Sequence, residues 1–78
     1  MPVVRLFAQA REAAGTSSEV VAGDTVGAVL ANAGERFGDG FVAVLGTCGV
    51  WVNGEPAGED DSVGEDDEVA VLPPVSGG

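Results

Sequence analysis

Residues 68–78, EVAVLPPVSGG, combine an alternating apolar run with two prolines and a glycine pair. Val69 and Val71 fall on one side of this run and Leu72 on the other, as in a strand with one buried face. Pro73 and Pro74 cannot donate hydrogen bonds to a sheet, so the strand must end near Leu72 and continue as an extended arm. We therefore predict a last strand over residues 68–72 that leads directly into a tail.

The tail carries little side-chain volume beyond Val75 and Ser76, because Gly77 and Gly78 close the sequence. A glycine backbone can enter a narrow tunnel that any Cβ would obstruct, and Gly78 would present a free carboxylate there. A frayed terminus is the plainer alternative, since 13 of the 78 residues are glycine and a closing pair is less unusual here. We predict one domain over residues 1–74 and a flexible tail over residues 75–78.

The length of 78 residues leaves room for one small core, which buries about 60% of the surface of the unfolded chain. Cys48 is the only cysteine, so no internal disulfide reinforces that core, as is typical of a reducing compartment. No apolar run approaches the roughly 20 residues of a membrane span, and the first residues lack a signal-peptide layout. These features predict a soluble, cytoplasmic protein.

Thirteen acidic and three basic residues give a formal net charge of −10. This balance opposes binding to nucleic acid phosphates and to anionic membranes, and it favours a basic protein partner. Lysine is absent, so an activated carboxyl terminus would find no side-chain amine on its own chain to acylate. Compositional drift toward alanine, valine and glycine is the simpler explanation of the missing lysine.

The first strand is predicted from Val3 to Ala8 by its alternating pattern. Because Arg5 favours solvent, the opposite face of the strand is expected in the core. Val4, Leu6 and Ala8 lie on that face. Phe7 shares the face of Arg5. It is therefore predicted to be an exposed aromatic side chain.

A short helical or turn segment, stopped by Gly15, is predicted next, and a second strand over residues 18–22 would close a hairpin. The clearest helix follows, with Asp24 or Thr25 as its N-cap and its end near Gly38. Its apolar residues recur at helical spacing and form one stripe: Val26, Val29, Leu30, Ala33 and Phe37.

The second half of the chain contains one ambiguous apolar run, residues 41–45, which we interpret as a brief helical turn or an irregular buried segment. Residues 50–53 predict a strand that turns at Asn53-Gly54, and residues 55–67 form a polar loop. The resulting order predicts an α+β fold, in which one main helix packs across a mixed sheet. If the first and last strands pair centrally, the tail leaves from the middle of that sheet.

Catalytic groups are sparse. The absence of histidine excludes Ser/His, Cys/His and His-containing metal sites within this chain, and no glycine pattern matches a phosphate-binding loop. Cys48 lacks a basic neighbour in sequence to activate it and is interpreted as a small packed residue. The acidic run over residues 59–68 lacks the ligand order of an EF-hand and is interpreted as a solvated turn or a patch facing a basic partner. We expect no metal, no bound cofactor and no enzyme activity from this chain alone.

Three segments carry a family resemblance: LFAQAREAAGT at residues 6–16, VNG at residues 52–54 and DEVAVLPPVSGG at residues 67–78. Together they resemble the small sulfur-carrier subunit of molybdopterin synthase, the MoaD type. The resemblance spans the whole chain, and its opening and closing segments are more specific than a glycine pair alone. It implies a β-grasp, ubiquitin-like fold.

The resemblance also implies a function. An ATP-dependent activating enzyme would adenylate the Gly78 carboxylate, and a sulfur donor would then displace AMP to leave a terminal thiocarboxylate. The tail would insert into the large subunit of molybdopterin synthase and give its sulfur to a cyclic pyranopterin precursor, which builds the dithiolene of the molybdenum cofactor. ATP would be used by the activating enzyme, and this chain would bind no cofactor itself.

The resemblance makes Gly78 the reactive residue and Gly77 the residue that gives clearance in the tunnel. Partners would hold the preceding arm through its backbone; this arm consists of Pro73, Pro74, Val75 and Ser76.

The sheet face away from the main helix is predicted to dock partners. By alternation this face presents Phe7, Trp51 and Leu72, with Arg5 and Arg11 around them. If the strand of Trp51 were offset by one residue, the indole would lie in the core instead.

Other functions fit a carrier of this kind. One is a sulfur carrier for thiamine or cysteine synthesis; another is a protein modifier joined through Gly78 to lysines of other proteins. A binding module with an inert tail is a further alternative. The opening and closing segments favour the molybdopterin pathway among these.

Overall fold

A computed structural model of the protein describes residues 1–73. Within this range the chain forms one sheet of five strands, in the order β2-β1-β5-β3-β4. The strands are β1 (Val3–Leu6), β2 (Ser18–Val20), β3 (Gly49–Val52), β4 (Glu55–Pro56) and β5 (Glu68–Leu72). β1 runs parallel to β5, whereas the other neighbours are antiparallel. The last strand is therefore the central one, and its predicted pairing with the first strand is confirmed.

Three helices lie in the described part of the chain: α1 (Ala8–Ala14), α2 (Val26–Phe37) and α3 (Asp39–Leu45). α2 is the predicted main helix. It begins after Thr25, whose Oγ1 accepts a hydrogen bond from the Ala28 N–H at 3.1 Å, and it ends before Gly38. Gly38 has φ 95°, a conformation that favours glycine and separates α2 from α3.

The core lies between the sheet and the helices. On the inner face of the sheet, Val4 lies opposite Val69, and Leu6 lies opposite Val71. All four are at most 1% exposed. The stripe of α2 packs against the same core with Val26, Val29 and Ala33 buried and Leu30 and Phe37 partly buried. The α+β, β-grasp architecture with a helix across a mixed sheet is confirmed.

The structure corrects some predicted boundaries. β1 ends at Leu6 rather than Ala8, because Ala8 has φ 51° and already begins α1; its side chain is exposed and not in the core. β2 ends at Val20 rather than at residue 22. Residues 41–45 are the main part of α3, a regular helix of seven residues rather than a brief turn, in which Phe41 is fully buried.

The Asn53-Gly54 turn is confirmed as a hairpin, with φ 49° at Asn53 and 85° at Gly54. It joins β3 to β4, a two-residue edge strand inside the segment that was predicted to be a loop. The rest of that segment, residues 57–67, holds no further strand of the sheet.

Candidate docking surface at the tail exit

The outer face of the sheet presents a row of side chains across all five strands. Cross-strand pairing places the row in the order Ser18, Arg5, Ala70, Trp51 and Pro56. Trp51 is 38% exposed, so its predicted outward orientation is confirmed. Residues of the same strands that alternate with this row face the helices. The sheet therefore has one face for packing and one face open to a partner.

The predicted apolar residues gather where β5 ends. Leu72 lies opposite Gly49 of β3, and the Phe7 N–H donates to the Val71 carbonyl at 3.3 Å on the β1 side. A Cβ on Gly49 would lie only 3.8 Å from Nε1 of Trp51, so the indole leans along β3 toward the residue that faces Leu72. We call Phe7, Trp51 and Leu72 the exit patch.

The exit patch is partly open. Phe7 is 40% exposed, Leu72 is half-buried, and Pro73, the last residue described, is half-buried as well. Large aromatic side chains that stay partly exposed on both sides of one strand end are typical of a docking surface, since a partner can cover the apolar area that the free protein leaves in water.

The two arginines predicted to surround the exit patch have different surroundings. Arg5 Nη1 lies 3.4 Å from Glu68 Oε2, and both side chains are about half exposed. Arg11 is exposed on α1, where its N–H donates to the Phe7 carbonyl at 3.4 Å. Among residues 1–73 the Arg11 side chain has no ion-pair partner. Of the three arginines, Arg11 is therefore the one without an ion pair among residues 1–73.

A hydrogen-bonded cluster at the start of β5 was not predicted. Asn53 Oδ1 accepts from the Glu68 N–H at 3.0 Å, and Asn53 Nδ2 donates to Asp67 Oδ1 at 2.9 Å. The other carboxylate oxygen of Asp67 accepts from the Gly64 N–H at 2.7 Å. The bonds from Gly64 and then Asn53 hold the pKa of Asp67 below its usual value. This cluster ties the β3–β4 hairpin to the strand that leads to the tail.

The remaining chemical groups are limited in the range that the structure describes. No group of three or more potential ligands among residues 1–73 is arranged to hold a metal ion. Cys48 is half-buried, and its Sγ donates to the Val44 carbonyl at 3.3 Å, as fits a packed residue. No helix in residues 1–73 is both long and apolar enough to cross a membrane.

The tail predictions lie outside the described residues. They concern Pro74, Val75 and Ser76 as a gripped arm and Gly77 and Gly78 as the reactive end. Their roles stay predictions.

The fold and site define a class. A central parallel pair of strands, antiparallel strands on both sides and a helix across one face are the arrangement of the β-grasp, ubiquitin-like proteins. The chain also matches the model of the ThiS family over residues 4–78. It belongs to this family of small sulfur carriers and ubiquitin-like modifiers.

Solved structures of several functions share this fold. The chain is similar to small archaeal modifier protein 1 from Methanosarcina acetivorans, with 29% identity, a TM-score of 0.88 and coverage of 99% of this chain and 95% of that chain. A structure of the Amycolatopsis orientalis BexX/CysO complex matches with 26% identity, a TM-score of 0.83 and full coverage of both chains. A putative molybdopterin converting factor, subunit 1, from Pyrococcus furiosus matches with 25% identity, a TM-score of 0.80 and coverage of 95% and 97%.

Proposed function

We propose that this protein carries sulfur as a thiocarboxylate on Gly78. The observation that carries the proposal is the position of β5, which lies at the centre of the sheet and ends at Leu72, within the exit patch. The family match, which extends through residue 78, supports it. A central strand paired on both sides is a stiff base, so the tail would leave the domain in a reproducible direction.

The proposed chemistry is carried out by partner enzymes. A carboxylate is a poor acyl donor because its leaving group would be oxide. An activating enzyme joins the Gly78 carboxylate to AMP from ATP with release of pyrophosphate, and the sulfur of a donor then attacks the carbonyl carbon as AMP leaves. When the donor is a persulfide, the product is an acyl disulfide. A second thiol of the activating system then attacks the donor-side sulfur, so that the thiocarboxylate leaves and the two thiols form a disulfide. This chain supplies the docking surface and the slim end.

The exit patch would fix the domain on each partner in turn. Trp51 and Phe7 offer aromatic area at low cost in side-chain entropy, and Arg11 offers a charge for orientation. Docking would raise the effective concentration of the Gly78 group in the partner's active site, as a tether does. The partner enzyme would therefore receive sulfur from Gly78 and would not need free sulfide as its source.

We further propose that the acceptor is the pterin precursor of the molybdenum cofactor, with this chain as the small subunit of molybdopterin synthase. The segments at residues 6–16 and 67–78 support this pathway, as does the similarity to the Pyrococcus furiosus protein.

A second candidate rests on the other relatives. The similarity to CysO, seen in a complex with BexX, supports sulfur delivery in another pathway such as cysteine or thiamine synthesis. The similarity to small archaeal modifier protein 1 supports attachment of Gly78 to other proteins.

Reconstitution separates these functions. The purified protein is incubated with ATP, its activating enzyme and a sulfur donor, and then with the large synthase subunit and the cyclic pterin precursor. Formation of a pterin dithiolene that requires the loaded protein is the expected result. Sulfur loading without dithiolene formation would overturn the molybdopterin assignment, and covalent adducts of Gly78 on lysines of added proteins would favour the modifier.

A further inference from the structure

A groove of about 650 Å³ lies on the helix side of the molecule, between α2, α3 and the start of β3. Its floor is apolar and is formed by Leu30, Leu45, Cys48 and Val50, each of which is half-buried. Val42, at 49% exposed, stands on one wall. The floor side chains pack against the core on one side and leave part of their apolar surface exposed to solvent in the groove. We call this feature the helix groove.

The groove is bordered by carboxylates. Glu35 of α2, Asp39 of α3 and Glu59 of the loop after β4 all line it and are exposed. Within residues 1–73 none of the three forms an ion pair. Three carboxylates from three separate segments therefore surround one apolar floor, and none of their charge is neutralised by a neighbouring basic side chain.

The helix groove and the exit patch lie on opposite sides of the sheet, but both lie near the start of β3. Cys48 lines the groove, and the next residue, Gly49, pairs with Leu72. A molecule seated in the groove would thus sit close to the tail exit while the outer face stayed free. The two surfaces can be occupied together.

We propose that the helix groove binds a cationic amphipathic segment of a partner protein. Its apolar side chains would enter the floor beside Val42, and its arginines or lysines would meet Glu35, Asp39 and Glu59. Charge disfavours the other occupants. A second copy of this chain brings a formal net charge of −10, and the chain's own tail would bring a carboxylate toward three others.

The probe is a synthetic helical peptide, acetylated and amidated, with leucines at i, i+3, i+4 and i+7 and arginines on both flanks of that stripe. Its binding to the full chain is measured by calorimetry and by protection of Cys48, the single cysteine, from alkylation. Binding with protection of Cys48 is expected. Absence of binding at about 1 mM peptide, or equal binding of a peptide with glutamates in place of the arginines, would overturn the proposal.

A matched pair of triple variants separates the groove from the overall charge. The groove variant is Glu35→Gln, Asp39→Asn and Glu59→Gln; the control, Glu55→Gln, Glu65→Gln and Asp66→Asn, removes the same charge at exposed sites outside the groove. The groove variant should weaken binding about tenfold and the control much less. Equal losses would show that only net charge matters and would overturn the proposal.

A second variant blocks the floor without changing charge. Ala31 is exposed and lines the groove, so the indole of Ala31→Trp should fill it. The peptide should then no longer bind or protect Cys48 from alkylation. The thermal unfolding temperature should stay close to that of the wild type. Unchanged peptide binding would place the peptide elsewhere and contradict the proposal. All these measurements use protein without loaded sulfur, so their failure would leave the proposed carrier function untouched.

Discussion

The two faces of the sheet use the same strands for different purposes. On the inner face Leu6 and Val71 are at most 1% exposed, whereas on the outer face Phe7 is 40% and Trp51 is 38% exposed. Leu6 and Phe7 are adjacent in the sequence. One step in the sequence, from the last residue of β1 to the residue after it, thus separates a fully buried side chain from one that is 40% exposed.

Apolar area stabilises the fold only where it leaves water, at about 25 cal/mol per Å². Single exposed apolar residues are normal. Val20, on the edge strand β2, is 48% exposed and is one of them. Phe7 and Trp51 differ because they flank the end of β5. The proposed docking surface therefore rests on the position of these side chains at the end of β5 and not on their exposure alone.

Alanine substitutions at two adjacent positions, Leu6 and Phe7, test the division between the two faces and should give the largest effect. Leu6→Ala should lower the free energy of unfolding by about 2–5 kcal/mol, because it leaves a cavity in the core of a small domain. Phe7→Ala should lower it by only about 1–2 kcal/mol, because 40% of this side chain is already exposed to water. Urea denaturation measures both. Similar losses at the two positions would contradict the division between the faces.

A functional substitution tests the outer face. Trp51→Ala should weaken binding to the activating enzyme about 30-fold with little loss of stability, because an exposed aromatic anchor contributes mainly in the complex. Val20→Ala, another exposed apolar residue of the sheet, is the control and should bind normally. Calorimetric titration gives the two affinities. Equal affinities of both variants would remove Trp51 from the docking surface.

A smaller effect is expected from pH at the start of β5. The pKa of Asp67 is lowered in the folded protein, so its contribution to stability is present above the unfolded pKa of about 3.9 and is lost as pH falls through the lower folded value. Asp67→Asn should be less stable than the wild type near neutral pH, and the difference should shrink in acid. Thermal unfolding from neutral to strongly acidic pH measures it. A difference that grows in acid would contradict this sign.

The smallest effect belongs to the half-exposed pair of Arg5 and Glu68. Arg5→Gln should change the free energy of unfolding by less than about 0.5 kcal/mol, because exposed ion pairs are screened by water. Denaturation at low and high salt checks this value. A loss as large as that of Leu6→Ala would mean that the outer face also supports the fold.

The sequence predicts the sheet and α2 well because their apolar residues recur at the periods of strands and helices. Periodicity is uninformative for residues 41–45, where helix packing buries Phe41 and leaves Val42 outside. β4 is not predicted, because its two residues, Glu55 and Pro56, are too few to show an alternating apolar pattern. The Asn53-Gly54 turn brings them beside β3.

The candidate site is predictable in part. Alternation correctly places Phe7 and Trp51 on the outer face, but nothing in the sequence shows that the indole leans toward Gly49. The Asn53–Asp67 bond joins residues 14 apart through loop geometry that sequence spacing does not reveal. The helix groove likewise depends on how α2 and α3 pack.

Intact-mass analysis tests whether Gly78 carries sulfur. The full chain and a variant lacking Gly77 and Gly78 are incubated with ATP, the activating enzyme and a sulfur donor, and fragmentation then locates any change. Replacement of one oxygen by sulfur at Gly78, dependent on ATP and absent from the shortened variant, is the predicted result. An unchanged mass with an active enzyme, or equal sulfur gain by the shortened variant, would show that Gly78 is not the site of sulfur loading.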